Sequence, residues 1–513
     1  MTGGKNDGLV SGDRHMTRAE LDERAARAAH GFRDIGVKPG DSIALFLRND
    51  FVFFEASLAA QRIGAYAVPI NWHFKAEEVE YILNDCGARA FIVHADLWPR
   101  VAHIVPAGVH VFIAPTPPEL GAAYGLGPQD CVVPAEAQNW NVWVHAQQPA
   151  ENLPPPATDS MIYTSGTTGN PKAVRRNPAT PAQMEKAAWV RRTVYGFTPD
   201  MVAGLPGPLY HSAPNSFGLR AALTGKGVVL TPRFDPEGML ELIEKHRISH
   251  MFMVPTMFVR LLKLPKDVRE KYDVSSLRYI IHAAAPCPPE AKRQMIEWWG
   301  PIIHEFYGST ESSAVTLATS EDALKKPGTV GRPIEGAEVV IVGENGEALG
   351  PNQTGEIFTR INGMPDFTYF NKPEKRVEID RNGLITSGDV GYLDDDGYLF
   401  INDRKRDMVI SGGVNIYPAE IESVALHMPD IKDCAVFGIP DAEFGESLMA
   451  VVEPQPGLDL KIEDVRAYLK QHLADYKVPR HIEIGHNLPR EDSGKIFKRR
   501  LRDPYWEKAG RTI

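Results

Sequence analysis

The stretch MIYTSGTTGNPKAVRRNP, residues 161–178, gathers small, hydroxyl-bearing and cationic residues into one turn. Gly166 and Gly169 let the backbone turn tightly and bring N–H groups toward a ligand, while Thr164, Ser165, Thr167 and Thr168 add hydroxyl donors and Lys172 adds a cation. That donor set suits phosphate oxygens. Its spacing is Gly-x-x-Gly-x-x-Lys, which differs from the Gly-x-x-x-x-Gly-Lys-Ser/Thr of ordinary P-loop kinases and ATPases. Residue type alone leaves a Ser/Thr/Gly surface turn open as an alternative.

Three later stretches add chemistry in chain order: EFYGSTESS at 305–313, TSGDVGYLDDDGYLFINDRKRDMVISGGVNIYPAEIE at 386–422, and LPREDSGKIFKRRLR at 488–502. Together with the opening loop, and over nearly the whole chain, they resemble the adenylate-forming (ANL) superfamily, in particular its acyl-CoA synthetases of the AMP-dependent synthetase and ligase family. Four long motifs in one order are far more specific than a single glycine loop.

The resemblance implies an acid–thiol ligase using ATP, Mg²⁺ and coenzyme A on a fatty or aromatic carboxylic acid. The acid attacks the α-phosphate to give acyl-adenylate and pyrophosphate, and the coenzyme A thiol then displaces AMP. Such chemistry needs fixed donors and cations aimed at developing phosphate charge more than it needs acid–base catalysis.

The residue roles below are likewise those the resemblance implies. Residues 164–169 with Lys172 hold the β- and γ-phosphates. Tyr307 stacks on adenine, Gly308 lies in the same nucleotide-binding motif, Thr310 bonds the α-phosphate, and Glu311 holds Mg²⁺. Ala284 and Ala285 in HAAAPCP give backbone contacts along adenine; Asp389 and Arg404 reach the ribose. Lys495 bridges the acid and the α-phosphate. His211 in PLYHSAPN orients or gates the acid, because a carboxylic acid is already ionised and needs no general base. Arg406 falls at a hinge about which the small domain rotates, presenting Gly412 and Gly413 to the pantetheine arm. Lys498, Arg499 and Arg500 read as a solvated basic helix face. The Asp394–Asp396 trio ends in DGY, a turn signature, and reads as a solvated turn.

Elements must position these residues. Leu21, Ala25, Ala28 and Phe32 fall at helical spacing and are followed by DSIALFLRND, a buried strand pattern. Helix and strand alternate from there, predicting a large N-terminal layered α/β domain with parallel strands. From about Gly336 short alternating segments predict a β subdomain. Beyond GYLFINDRKRD the alternation of helix and strand resumes, which predicts a small mobile C-terminal α/β domain. The boundary is placed at 1–403 and 404–513.

The composition, 43% apolar and 24% charged, is that of a globular chain, and the net charge of −10 argues against nucleic acid or an anionic membrane as partner. No apolar run approaches the ~18 residues of a membrane span, and Cys86, Cys131, Cys287 and Cys434 show no metal-ligand spacing. A cytoplasmic enzyme is expected. The short leader before the first helix leaves open the packing of the N-terminal edge and any homodimer contact there. Ala173 and Ser387 depart from the commoner family residues, Gly and Thr, without removing a proposed catalytic group. Two rivals share the scaffold: an adenylating enzyme that loads a carrier protein or other acceptor, and a luciferase-like oxygenase. Ala213, Phe217, Ala283 and Ala314 suit an uncharged acyl tail without fixing its length.

Overall fold

The computed structural model describes residues 7–151, 158–164, 171–405, 407–411, 414–441, 444–490 and 496–508. The chain is mixed α/β and groups into two compact units: Met1–Ala284 with Gln294–Ala314 and Ile361–Asp380, and Ala285–Arg293 with Val315–Arg360 and Arg381–Ile513.

The first unit begins with a hairpin that the short sequence GLVSGDRHM did not announce. Strand Gly8–Ser11 pairs parallel to Gly227–Leu230, and Arg14–Met16 folds back antiparallel at the edge. From there the sheet runs through Val202–Leu205, His250–Met253, Tyr279–His282 and Ile303–Ser309, each parallel to the strand before it. A second parallel sheet takes the order Tyr66–Pro69, Ser42–Phe46, Ala88–His94, His110–Ala114. Its strands are almost wholly buried, as expected of parallel strands covered on both faces. The helix Arg18–Asp34 buries Leu21, Ala25, Ala28 and Phe32, and the reciprocal hydrogen bonds of Thr17 and Glu20 cap its start.

A third, small sheet positions the site. Ile162–Thr164 and Lys172–Arg176 run antiparallel, with Thr164 opposite Lys172, and Phe367–Tyr369 pairs on the other side, with Tyr369 opposite Val174. Side chains alternate across a strand and directly opposed residues share a face. Thr164, Lys172, Val174, Arg176 and Tyr369 therefore project from one face, and Tyr163, Ala173 and Arg175 from the other.

In the second unit, Ala337–Val342, Gly355–Ile361, Leu384–Leu393 and Leu399–Arg404 form an antiparallel sheet where the β subdomain was expected. Another sheet follows, built from Val409–Ser411, Val414–Ile416, Ile431–Asp441, Gly445–Pro454 and His481–Ile484. Helices Pro418–Ala425 and Ile462–His472 contribute Ile421, Val465 and Leu469 to its core. On the other side Phe437, Met449 and Leu488 pack with Leu501 and Tyr505 of helix Lys498–Lys508.

One sequence reading is overturned here. Lys498 does not lie on a solvated basic face: its Nζ sits 2.8 Å from Glu422 Oε1, and both side chains are more than four-fifths buried. The carboxylates of Glu422 and Asp403 overcome burial and hold the ammonium charged, with its pKa raised. Arg499 does face solvent. Lys326 bridges Asp394 and Asp396, 2.8 Å from each, so the acidic trio forms a paired turn. The four cysteines are free thiols, three of them buried.

Candidate active site

In the first unit the small sheet and the turn after strand Ile303–Ser309 come together. Lys172 Nζ lies 5.2 Å from the centroid of the Tyr369 ring, a cation–π distance, and makes no ion pair or hydrogen bond among the described residues. The Tyr369 hydroxyl donates to Glu311 Oε1 at 2.9 Å. Burial, and then the neighbouring Glu311 carboxylate, push the Tyr369 phenol well above its ordinary range, so it is a firm donor. Glu311 Oε2 carries no hydrogen bond or ion pair among the described residues, nor does the Thr310 hydroxyl. Residues 307–313 are all half-buried, open enough for a ligand to reach.

Serines hold the turn. The Glu311 and Ser312 N–H groups donate to Ser309 Oγ at 3.2 and 3.0 Å, and the Ser309 N–H donates to Ser312 Oγ at 2.9 Å. Ser313 closes it in the left-handed region at φ 62°. Gly308 is sterically required, because a Cβ there would collide with the Ser313 carbonyl oxygen. Arg176 reaches across from the small sheet, donating to the carbonyls of Thr310 at 2.6 Å and Glu311 at 2.9 Å and to Ser313 Oγ at 3.0 Å.

His211 is the N-cap of helix Ser212–Thr224; its ring lies 4.4 Å from that of Tyr210, which packs edge-on to Trp72 at 4.6 Å. Ala284 follows strand Tyr279–His282 with φ 77°, a left-handed conformation rare for a residue bearing a Cβ, and it is exposed. Of the apolar residues suggested for an acyl tail, Phe217 packs against Phe197 and Phe252, and Ala283 and Ala314 are also buried; Ala213 alone keeps partial exposure.

In the second unit Asp389 and Arg404 face each other across adjacent strands, with Arg404 Nε 3.2 Å from Asp389 Oδ1. Ser387 donates to Asp389 Oδ2 at 2.7 Å. Ala285 also belongs to this unit. Ser165, Gly166, Thr167, Thr168, Gly169, Arg406, Gly412, Gly413 and Lys495 lie outside the described residues. Sequence reasoning missed Tyr369, Arg176, Ser309 and Ser312. The serines were visible in STESS as local turn formers, whereas Tyr369 and Arg176 had only position to mark them, one in TYFNKP and one four residues after Lys172.

Residues 4–364 match the AMP-binding enzyme family and residues 420–495 its C-terminal domain. The chain belongs to the AMP-binding enzyme family. It is thus a member of the adenylate-forming superfamily, and it falls among that superfamily's AMP-forming acid–thiol ligases. It is 33% identical to a feruloyl-CoA synthase of an Amycolatopsis species over 95% of this chain and 93% of the relative. To the long-chain-fatty-acid–CoA ligase FadD13 of Mycobacterium tuberculosis it is 31% identical over 96% and 94%. Among solved structures, the anthranilate CoA ligase AuaEII in complex with anthranoyl-AMP superposes with a TM-score of 0.85 at 25% identity, covering 99% of this chain and 95% of that one. No helix among the described residues is long and apolar enough to cross a membrane.

Proposed function

We propose that this enzyme joins a fatty or aromatic carboxylic acid to coenzyme A at the expense of ATP, releasing AMP and pyrophosphate through an acyl-adenylate. The observation that carries this reading is the meeting of Lys172, Tyr369 and Glu311: among the described residues the ammonium has no ion pair, and the carboxylate is held by one oxygen only. The ammonium suits departing phosphate charge. The other carboxylate oxygen fits Mg²⁺, which keeps several waters and takes one or two carboxylates plus substrate phosphates, so the lack of any three-ligand cluster among the described residues is compatible with it. Bound Mg²⁺ would supply charge neutralisation between phosphate oxygens.

The chain's own groups do the positioning. The Thr310 hydroxyl is placed beside Glu311 on the same serine-braced turn to bond the α-phosphate, and Tyr307 and the exposed Ala284 peptide are assigned to adenine. Asp389, oriented by Ser387 and Arg404, takes the ribose hydroxyls with both carboxylate oxygens already aligned. His211, resting on Tyr210, orients the acid. The boundary at residue 403 separates a mobile 404–513 domain, which brings Lys495 to the first half-reaction and Gly412 and Gly413 to the second, with Arg406 as the hinge. A cytoplasmic location would supply the ATP and coenzyme A that this reaction consumes.

The test is a panel of fatty and aromatic acids scored in parallel for acid-dependent pyrophosphate release and for coenzyme A thioester by mass. Thioester from one acid class supports the reading and names the substrate. Pyrophosphate without thioester would move the acceptor to a carrier protein or another nucleophile. Lys495→Ala should abolish adenylation yet spare transfer from pre-formed acyl-adenylate to coenzyme A; equal loss of both half-reactions would remove the role given to Lys495.

A further inference from the structure

The geometry points to Arg176 as a positioning residue that fixes the Thr310–Glu311 peptide relative to the strand bearing Lys172. Resting on the adenylation reading above, it adds a group that none of the four motifs contains in a named role.

Lys172 and Arg176 stand four residues apart on one strand and so project from the same face. The side chain of the first reaches Tyr369, the partner of Glu311, and the side chain of the second reaches the backbone of Glu311 itself. A single guanidinium nitrogen of Arg176 serves the Thr310 carbonyl, the Glu311 carbonyl and Ser313 Oγ, and the other terminal nitrogen donates to the Pro365 carbonyl at 3.2 Å. Pro365 lies just before strand Phe367–Tyr369, so Arg176 ties together the two segments that hold the Glu311 side chain and its main chain.

The choice of acceptors matters. Because Arg176 bonds the carbonyl oxygens of Thr310 and Glu311, it fixes the turn without occupying the carboxylate oxygens meant for a cation. Burial disfavours its charge and lowers its pKa, a cost opposed by Asp159 and Glu311, so the cation is held by this surrounding and is not a solvated surface arginine. Arg175, on the opposite face, makes no such bonds among the described residues: its guanidinium lies over the rings of Tyr66 and Phe370, at 4.4 and 5.1 Å. The two adjacent arginines form a built-in comparison, equal in charge and strand position but different in what they touch.

Isothermal titration of the full chain with ATP, in Mg²⁺ and in excess chelator, separates the possibilities. Arg176→Met should weaken Mg²⁺–ATP binding about tenfold, the scale of a lost hydrogen bond to a charged donor, and metal-free ATP binding less than about threefold by the same scale. Arg176→Lys keeps the charge without the planar fork and should recover part of the loss. Arg175→Met should leave both affinities unchanged. If Arg176→Met does not fold, the ratio of the two affinities in Arg176→Lys decides instead. Equal weakening with and without metal, or an effect no larger than that of Arg175→Met, overturns the inference while leaving the adenylation reading intact. Wild-type protein that binds neither form of ATP overturns that reading, and this inference with it.

Discussion

Tyr369 donates its hydroxyl to Glu311 Oε1 at 2.9 Å, joining residues 58 positions apart in the chain. The bond fixes one carboxylate oxygen, and among the described residues the other makes no hydrogen bond. Tyr369→Phe keeps the ring beneath Lys172 and removes only this bond. Acid-dependent pyrophosphate exchange should fall about tenfold, while unfolding stability drops by only about 1 kcal/mol. Exchange at the wild-type rate would show that Glu311 needs no such partner.

Gly308 has no room for a side chain, since its Cβ would meet the Ser313 carbonyl. Gly308→Ala should cost about 1–3 kcal/mol by overpacking and should displace the turn that carries Thr310 and Glu311. Thermal denaturation with and without ATP checks both parts: the midpoint should fall, and its rise on adding ATP should shrink.

Lys498 and Glu422 form a pair buried in the second unit, and Asp403 adds to it, with its carboxylate accepting from the Ala419 N–H at 2.9 Å. Removing the cation leaves Glu422 buried without its counter-ion, with only the Val436 N–H at 2.6 Å to bond it among the described residues. Lys498→Met should therefore destabilise by about 3–5 kcal/mol, and Lys498→Met with Glu422→Leu should recover most of it. Urea unfolding of the two variants gives the comparison; a single variant as stable as wild type would mean the pair contributes nothing.

Asp50 is buried against Arg14 and His94, with Asp50 Oδ1 2.6 Å from the arginine and Oδ2 3.3 Å from the imidazole. Burial pushes its pKa up, but the bonds and charges of His94 and Arg14 outweigh it and bring the carboxyl down to about 2. A carboxyl depressed in the folded state stabilises above its unfolded value near 4, and that stability is lost as pH falls toward 2. The loss is roughly 2 kcal/mol. Wild type should show this acid limb in stability measured at successive pH values, and Asp50→Asn should be less stable at neutral pH with a shallower fall across that window.

How much was legible in the sequence differs by residue. Thr164 and Lys172 could be singled out because their partners are neighbours in one short motif; the structure then places them opposite each other on paired strands. Ser387 and Asp389 were likewise within one stretch. Lys498 was misread because a lysine among arginines on a helix is normally solvated, and only the fold brings Glu422 under it. For Phe217 the sequence showed an apolar residue near a motif, and only the fold shows that Phe197 and Phe252, from separate elements, pack against it.

The sequence by itself determined the alternation of helix and strand, through hydrophobic period, and the family, through four ordered motifs whose residues must be near one another in the chain. Tertiary structure alone decided which groups hold those motifs in place. Arg176 meets Thr310 across 134 residues, and Tyr369 meets Glu311 across 58. Such pairings are set by strand register and by which face of a three-stranded sheet looks inward. A shift of one residue would exchange Arg176 for Arg175, and no local pattern in RR distinguishes the two.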